Sequence, residues 1–546
     1  MRFIESLWPA RTKLVVFEML ALALLPCAWG SRWPRYGGTL RVEMHVASVT
    51  LDPREWKMGT TESAADEKLG ALVYDRLVAL DNYGRFQPQL ATEWSHDAGF
   101  KRWQFTLRAN VKFSDGTLLN AADVVASFQP LLPDGQQITV SGNGVVIQSA
   151  AAMPDLLEEL GSGRFFVYRV QANGTLMGTG PFLVVEAASG SHGASNGTTN
   201  STMATSDSNA ASSASGVNRA THLGFRANEE TWSGRPFADA IEVTLGVPPM
   251  RQLFDLQLGK ADLIEISPEL VRRATQENLR VWSSAPVTLY GLRFDDAQTA
   301  ASDAKLREAV ALALDRQTMA NVLLQKQAEP ASALLPQWLS GYAFLFTMET
   351  NIERAKEIRT TLPANVAAGT DPLRLRVDAP GDLAKLLGER VAVNARQAAI
   401  PVQVVNRGAL RTAGSVTSAS NDPASGLHLF SWHYSSLSPR VELESMALVL
   451  KFSDSREAAV FSTDPEQLYA REKKLLEERR VLPLVALPEY IGLSQNVRDW
   501  MPARWGEWHL ADVWLDLPEA EGAVGKANSA GTPAMQPAAA SPGAKP

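Results

Sequence analysis

Trp103-Gln104-Phe105-Thr106-Leu107-Arg108, then Val111-Lys112-Phe113-Ser114-Asp115-Gly116-Thr117, then Asn120-Ala121-Ala122-Asp123 pack three kinds of local signal into one short stretch. The first six residues alternate apolar and polar, the period of a half-buried strand. Ser114 to Thr117 are turn formers. Asn120 is placed to cap a helix, with Asp123 near its positive end. A strand, a turn and a capped helix in succession is the local grammar of a mixed α/β protein.

The same grammar extends outward. Over residues 38–46, Leu40, Val42 and Met44 share one face of a strand, and Thr39, Arg41 and Glu43 the other. Ala65, Leu69, Leu72, Val73 and Leu77 recur at helical spacing and predict a helix over 62–80, closed by a turn at Asp81-Asn82-Tyr83-Gly84. Further strands are expected at 238–245, 261–266, 402–405, 427–431 and 481–487. Helices are expected at 249–258, 382–399 and 464–480, and a long one at 304–324 carrying Leu306, Val310, Leu314 and Val322. No solenoid-like repeat is present.

Composition bounds the function. The chain has 546 residues, too many for one ordinary core, so about two to four domains are expected. Apolar residues make up 45% and charged residues 20%, with a net charge of −7 and no dense Lys/Arg run, which argues against nucleic acid as a partner. Cys27 is the single cysteine, so an intrachain disulfide and a cysteine-based zinc site are excluded. The histidines show no metal-ligand spacing, and no cofactor is expected. No Gly-x-Ser-x-Gly turn joins a strand to a helix, and no paired carboxylates stand out, so no enzyme is expected.

The ends differ from the middle. Arg2, Arg11 and Lys13 precede an apolar run from Leu14 to Trp29, broken by Glu18, and Ala28-Trp29-Gly30 offers a cleavage site before Ser31. Residues 1–30 therefore read as a signal peptide, with an uncleaved membrane anchor or a lipid on Cys27 as alternatives; Pro26 before the cysteine argues against the lipid. Residues 188–220, rich in Ser, Thr, Asn, Gly and Ala, read as a flexible insertion, and 519–546, rich in Ala, Pro and Gly, as a loose tail.

A set of short motifs in fixed order resembles the family 5 extracellular solute-binding proteins of ABC importers, which include dipeptide- and oligopeptide-binding proteins. It begins with Gly37-Gly38-Thr39-Leu40-Arg41-Val42 and Thr50-Leu51-Asp52-Pro53. It continues with Leu72-Val73-Tyr74-Asp75-Arg76-Leu77-Val78, Gln87-Pro88-Gln89-Leu90-Ala91-Thr92-Glu93-Trp94 and the stretch quoted first, through Ala122-Asp123-Val124-Val125. Gly178-Thr179-Gly180-Pro181-Phe182 and Asn228, Trp232, Gly234, Arg235 and Pro236 follow. Lys305-Leu306-Arg307-Glu308-Ala309, Asp315-Arg316, Leu334-Leu335-Pro336, Gly341-Tyr342, Val481-Leu482-Pro483-Leu484 and Leu510-Ala511-Asp512-Val513-Trp514 complete the order.

The resemblance implies a two-lobed periplasmic binding protein fold of type II, α/β with mixed sheets and an interlobe cleft. Lobe I would span 37–265, with its extra subdomain shortened because only about fifty residues separate Phe128 from Gly178. Lobe II would span 266–488, and 489–518 would return to lobe I. It implies a periplasmic, monomeric protein that holds a peptide-like or other small polar solute between the lobes and hands it to membrane permease subunits. A receptor or scaffold that kept the fold without transport is the alternative.

Two segments are the expected ligand walls. Met58-Gly59-Thr60-Thr61 matches a loop that in relatives reaches the ligand; Gly59 would allow close backbone approach, and the plainer reading is a helix lead-in with Thr61 as cap. Trp432-His433-Tyr434-Ser435-Ser436-Leu437-Ser438 matches the pattern Trp-x-Ala-Asp-Tyr-x-Asp. Trp432 would offer a flat face or be core. Relatives hold a peptide amino terminus with the first Asp; here Ser435 takes its place and Ser438 the second. Serine cannot balance a desolvated ammonium, so a standard free-amine dipeptide is not expected unless His433 and Tyr434 substitute.

Overall fold

The protein was analysed as a computed structural model, which describes residues 33–81, 84–161, 163–188, 221–295, 299–362, 372–406, 425–451 and 463–517. The expected leader at 1–30, nearly all of the Ser/Asn-rich insertion and the tail at 519–546 lie outside them.

One eleven-stranded mixed sheet organises the molecule. Its order runs from Phe182–Ala188 through His222–Ala227, Ala240–Thr244, Thr39–Glu43 and Leu263–Glu265 to Val481–Leu493. It continues through Arg280–Phe294, Leu427–His433 and Leu373–Val377 to Val402–Asn406, and the eleventh strand, Glu329–Pro330, pairs off this path with Val481–Leu493. Thr39–Glu43 is buried on alternate residues, with Leu40 and Val42 inward as the sequence predicts.

The two longest strands, Arg280–Phe294 and Val481–Leu493, run antiparallel along each other through the whole span. At one end Arg280 faces Leu493 and Leu263–Glu265 joins the pair; at the other, Arg293 faces Val481 and Leu427–His433 joins. In the middle the register slips between Ser283, Pro286 and Thr288, where Pro286 sits opposite Pro488. Proline lacks the N–H a ladder needs, so two facing prolines weaken the sheet at this level. Each end of the strand pair enters a different core. Ile491 and Leu493 pack with Leu40, Leu69, Phe225 and Ile241. Leu292, Leu482 and Leu484 pack with Val310, Leu375, Leu387 and Leu429. A four-stranded antiparallel sheet made from Ala91–His96, Arg102–Leu107, Gly144–Ser149 and Gln136–Ser141 carries a third core around Phe105, Phe128 and Ile147.

The capped helix is as predicted: Ala121–Phe128 begins with a capping box in which the Asn120 side chain accepts from the Ala122 and Asp123 amides and Asp123 reaches back to the Asn120 amide. Two helices differ from expectation. The helix expected over 62–80 spans only Thr61–Gly70. Its continuation is prevented because Leu72 and Val73 give their carbonyls to the amides of Phe182 and Gly180, at 2.8 and 2.9 Å. Leu72, Val73 and Leu77 are still buried, which explains the misleading period. The helix expected over 304–324 stops at Ala313. Leu314 is extended, Asp315 caps a new turn, and a π-turn follows over Met319–Leu323, leaving Val322 exposed. The break lets buried Arg316 donate to the Pro483 carbonyl at 2.7 Å; burial lowers its guanidinium to about 10. The strands expected at 427–431 and 481–487 run on to His433 and Leu493.

The Gly178-Thr179-Gly180-Pro181 motif owes its glycines to this crossing. A Cβ on Gly178 would lie 1.9 Å from the Val73 carbonyl oxygen, and one on Gly180 2.6 Å from the Val73 carbonyl carbon. Gly178→Ala is predicted to cost about 1–3 kcal/mol, read as a lower urea midpoint. Gly99→Ala, whose Cβ meets nothing nearer than 3.6 Å, should stay within about 0.5 kcal/mol of the parent.

Candidate functional site

The helix Thr61–Gly70 begins where the chain leaves an extended loop, and the cap is Thr60, whose hydroxyl accepts from the Ser63 amide at 3.1 Å; Thr61 is the first helical residue. Just before it, the Gly59 carbonyl accepts the His433 amide at 3.0 Å, an isolated antiparallel bridge between the loop and the end of Leu427–His433. Gly59 has φ +79°, and a Cβ there would fall 2.3 Å from the Trp432 ring. The glycine is thus required twice, by conformation and by the indole lying against it.

That contact decides the role of Trp432. It is 1% exposed, packs with Leu443, Met446 and Leu475, and its Nε1 donates to Glu442 at 2.8 Å. Gly59 covers its face, so Trp432 is core in this conformation. Tyr434 is buried too, its hydroxyl donating to the Leu334 carbonyl. The Ser435 and Ser436 amides both donate to Glu442, whose carboxyl burial raises to about 7. Ser438 is fully buried, caps Pro439–Val449 through the Val441 amide and donates its hydroxyl to Asp155. Arg440 reaches the same Asp155 at 3.0 Å and Glu159 at 3.6 Å, so this helix start is tied to the core around Phe105 and Phe128.

The Gly59–His433 bridge stands between two spaces. A wide, open groove of about 910 Å³ is lined by Met58 to Glu62, Trp432, Asp378 and His428. A small chamber of about 50 Å³ lies between Thr61–Gly70 and the turn after Leu427–His433. Of the residues the sequence singles out, Met58, Gly59, Thr60, Thr61 and Trp432 border the groove, His433, Tyr434 and Ser435 border the chamber, and Ser438 borders neither.

The chamber is the chemically concentrated space. Glu67, Lys68, Arg76, Trp338, Trp505 and Glu507 join His433 to Leu437 in its wall. Lys68 pairs with Glu489, and Arg76 with Glu507. Burial pushes Glu489 up; it also pushes Glu507 up, but Arg76 and His509 outweigh it and hold that carboxyl below its ordinary value. Burial, reinforced by Lys68, lowers His433 to about 3, so its ring is neutral, with Nδ1 3.2 Å from the Thr288 hydroxyl. Trp338 donates its Nε1 to the Pro286 carbonyl at 2.7 Å, tying the chamber wall to the weak point of the long strands. The Ser435 hydroxyl, enclosed in the wall, has no hydrogen-bond partner. Glu67 is raised to about 8, by burial first, against the pull of Arg76.

Sequence reasoning missed Glu67, Lys68, Arg76, Glu489 and Glu507. One signal was available: Glu489 is the lone charge in the apolar run Val481–Leu493, where an ion needs a partner. For Glu67 there was none, since Thr-Glu-Ser-Ala-Ala-Asp-Glu-Lys reads as an ordinary solvated helix, although much of it is buried.

An α/β molecule whose two largest cores share two long strands, with a polar chamber between the Thr61–Gly70 helix and the turn after Leu427–His433, has the architecture of a type II periplasmic binding protein. Solved structures agree on the fold. The dipeptide-binding protein of Pseudoalteromonas sp. SM9913 in complex with Met-Leu superposes with a TM-score of 0.67 at 15% identity, covering 88% of this chain and 100% of that one. The family described as bacterial extracellular solute-binding proteins, family 5 middle, matches residues 85–152 and 215–413, and the chain belongs to that family. It is similar to the periplasmic oligopeptide-binding protein of Haemophilus influenzae, 29% identical over 22% of this chain and 22% of that one. It is also similar to the nickel-binding protein of Staphylococcus aureus, 21% identical over 57% of this chain and 59% of that one. The alignments thus span less than two thirds of these curated relatives. The named relatives are binding proteins. No helix among the described residues is long and apolar enough to cross a membrane.

The Glu67 environment sets a pH dependence. Its carboxyl binds a proton more readily in the folded chain, at about 8, than at its ordinary 4.5, so the folded state holds the extra proton between those values. Stability is therefore lost as pH rises from about 4.5 towards 8, because over that range the unfolded state releases the proton that the folded state keeps. Glu67→Gln is predicted to melt like the parent at pH 4.5 and several degrees higher at pH 8.5, by scanning calorimetry at both pH values.

Proposed function

We propose that this chain is the exported, non-enzymatic capture protein of an ABC importer, holding a small polar, peptide-like solute between two lobes and handing it to permease subunits in the inner membrane. Residues 37–265 form the first lobe, 266–488 the second, and 489–518 return to the first. The observation that carries this reading is the chamber itself. Its wall is drawn from Thr61–Gly70, from the turn after Leu427–His433 and from Trp505 to Glu507, and it encloses charged groups that bulk water would otherwise solvate. A space whose two sides belong to separate cores opens when the cores move apart, and a solute that touches both sides favours the closed arrangement. Family membership supports the reading, as do relatives named for oligopeptide and nickel binding. Delivery asks for no chemical step. The leader-like residues 1–30 support export to the periplasm, and the chain acts as a monomer.

The test is a thermal-shift screen of the full chain against dipeptides, amino-blocked dipeptides, sugars, polyamines and metal chelates. A solute that binds only the folded state raises the melting temperature by mass action. At least one class is predicted to raise it in a saturable manner, by about 2.7 kcal/mol of stability at a hundredfold excess over Kd. A flat response across all classes favours a receptor or scaffold without solute capture.

A further inference from the structure

The short helix Leu156–Leu160 and the start of Pro439–Val449 meet although they belong to different cores. Leu156 and Leu160 are buried with Phe105 and Phe128, whereas Leu443 and Met446 are buried with Trp432 and Leu475. Asp155 occupies the N-cap position of its own helix, yet its carboxylate accepts no amide there. It accepts instead from the Ser438 hydroxyl and from Arg440 Nε, the latter at 3.0 Å. Glu159, one turn on, lies 3.6 Å from Arg440 Nη2. The three charged side chains are largely withdrawn from water: 18% of Arg440, 13% of Asp155 and 8% of Glu159 stays exposed. Beside them, a Cβ on Gly163 would fall 3.3 Å from the Ser435 carbonyl oxygen.

The contact is built to break without stranding a charge. Ser438 and Arg440 each keep a second partner on their own helix: the Ser438 hydroxyl accepts the Val441 amide at 3.2 Å, and Arg440 Nη1 donates to Glu444 at 2.9 Å. If the two cores part, both retain these bonds, while Asp155 and Glu159 exchange Arg440 for water. Separating a buried ion pair is costly when one partner stays behind uncompensated; here neither side does. We propose that Ser438 and Arg440, with Asp155 and Glu159, form a reversible interlobe latch that joins the lobes without help from a solute. The proposal rests on the two-lobe reading but not on what the chamber holds. A solute then has only to tip an equilibrium towards a state that the latch already populates.

Protons belong to the same equilibrium. Burial raises Glu159 to about 7; Arg440 and Arg164 pull it down, and Asp155 and Glu444 push it up. Parting the lobes brings the carboxyl into water and returns it towards its ordinary 4.5. Between those values the joined state holds a proton that the parted state releases. Joining therefore weakens as pH rises from about 4.5 through 7, by roughly five- to tenfold per unit. Above that range Arg440 faces three ionised carboxylates, Glu444 included.

The experiment is double electron–electron resonance on the full chain without solute, with spin labels on Gln137→Cys and Leu448→Cys in a Cys27→Ser background. Both labelled positions are exposed, one on each side of the latch. The labelled parent is predicted to show a short-distance and a long-distance population, with a short-to-long ratio that falls about fivefold or more from pH 6 to pH 8. Arg440→Gln, with folding checked by circular dichroism, should lower that ratio about tenfold or more at pH 6. Glu159→Gln, which mimics the protonated side chain, should raise it at pH 8. Glu444→Gln should keep the short population, because it removes only the partner on Arg440's own helix. An Arg440→Gln distribution like the parent's, or a Glu444→Gln loss as large as that of Arg440→Gln, overturns the latch. So does a Glu159→Gln ratio at or below the parent's at pH 8, or one unchanging distance at every pH and in every variant. None of these readouts uses a solute, so an overturned latch leaves the capture reading to the thermal-shift screen.

Discussion

Everything in this molecule hangs on the pairing of Arg280–Phe294 with Val481–Leu493. The two strands are the shared spine of both major cores: Leu493 and Ile491 are buried with the first, and Leu292 and Leu484 with the second. A ladder this long would be stiff if it were regular. It is not regular, because Pro286 and Pro488 face one another where the register slips. The ladder is strong at its ends and weak in its middle, the distribution a hinge needs. Trp338 bonds the Pro286 carbonyl and also lines the chamber, so the weak level and the polar space are physically joined.

The two sides of the chamber are held together by a few contacts of different kinds. Gly59 lies on the Trp432 ring and receives the His433 amide; Ser438 and Arg440 reach Asp155 across the same divide. Lys68, on the Thr61–Gly70 helix, pairs with Glu489 on the spine itself. Buried ion pairs of this sort add little net stability, because desolvation offsets most of their attraction, but they penalise any arrangement that separates the partners. Their value lies in specifying one packing of the two sides. Glu67 differs from them in having, among the described residues, no hydrogen bond or ion pair of its own.

Much of the fold was legible because apolar alternation and caps are local. Thr39–Glu43, Arg102–Leu107 and the Asn120 capping box needed no tertiary information. The two misread helices show where local signals run out. Leu72 and Val73 keep helical spacing, yet their carbonyls are drawn to Gly180 and Phe182, more than a hundred residues away. The continuous period over 304–324 conceals a break that serves Arg316, whose partner Pro483 lies on the spine. The candidate site was half legible. Motif position pointed to Gly59, Trp432 and Ser435 but not to their tasks, and Trp432, which could have stacked on a solute, is instead covered by Gly59. The loss of an aspartate at Ser435 was readable as a missing carboxylate. That a carboxylate enters the same chamber from Glu67, on another element, was not, because no periodicity relates the two positions.

The central claim is that one solute engages both sides of the chamber at once. Hydrogen–deuterium exchange of the full chain, with and without the tightest-binding member of the solute screen, tests it most directly. The account predicts that the solute slows amide exchange together in residues 59–71 and 431–437, the two walls that belong to different cores. Slowing confined to one wall, or absent from both while the solute is demonstrably bound, would contradict capture between the lobes.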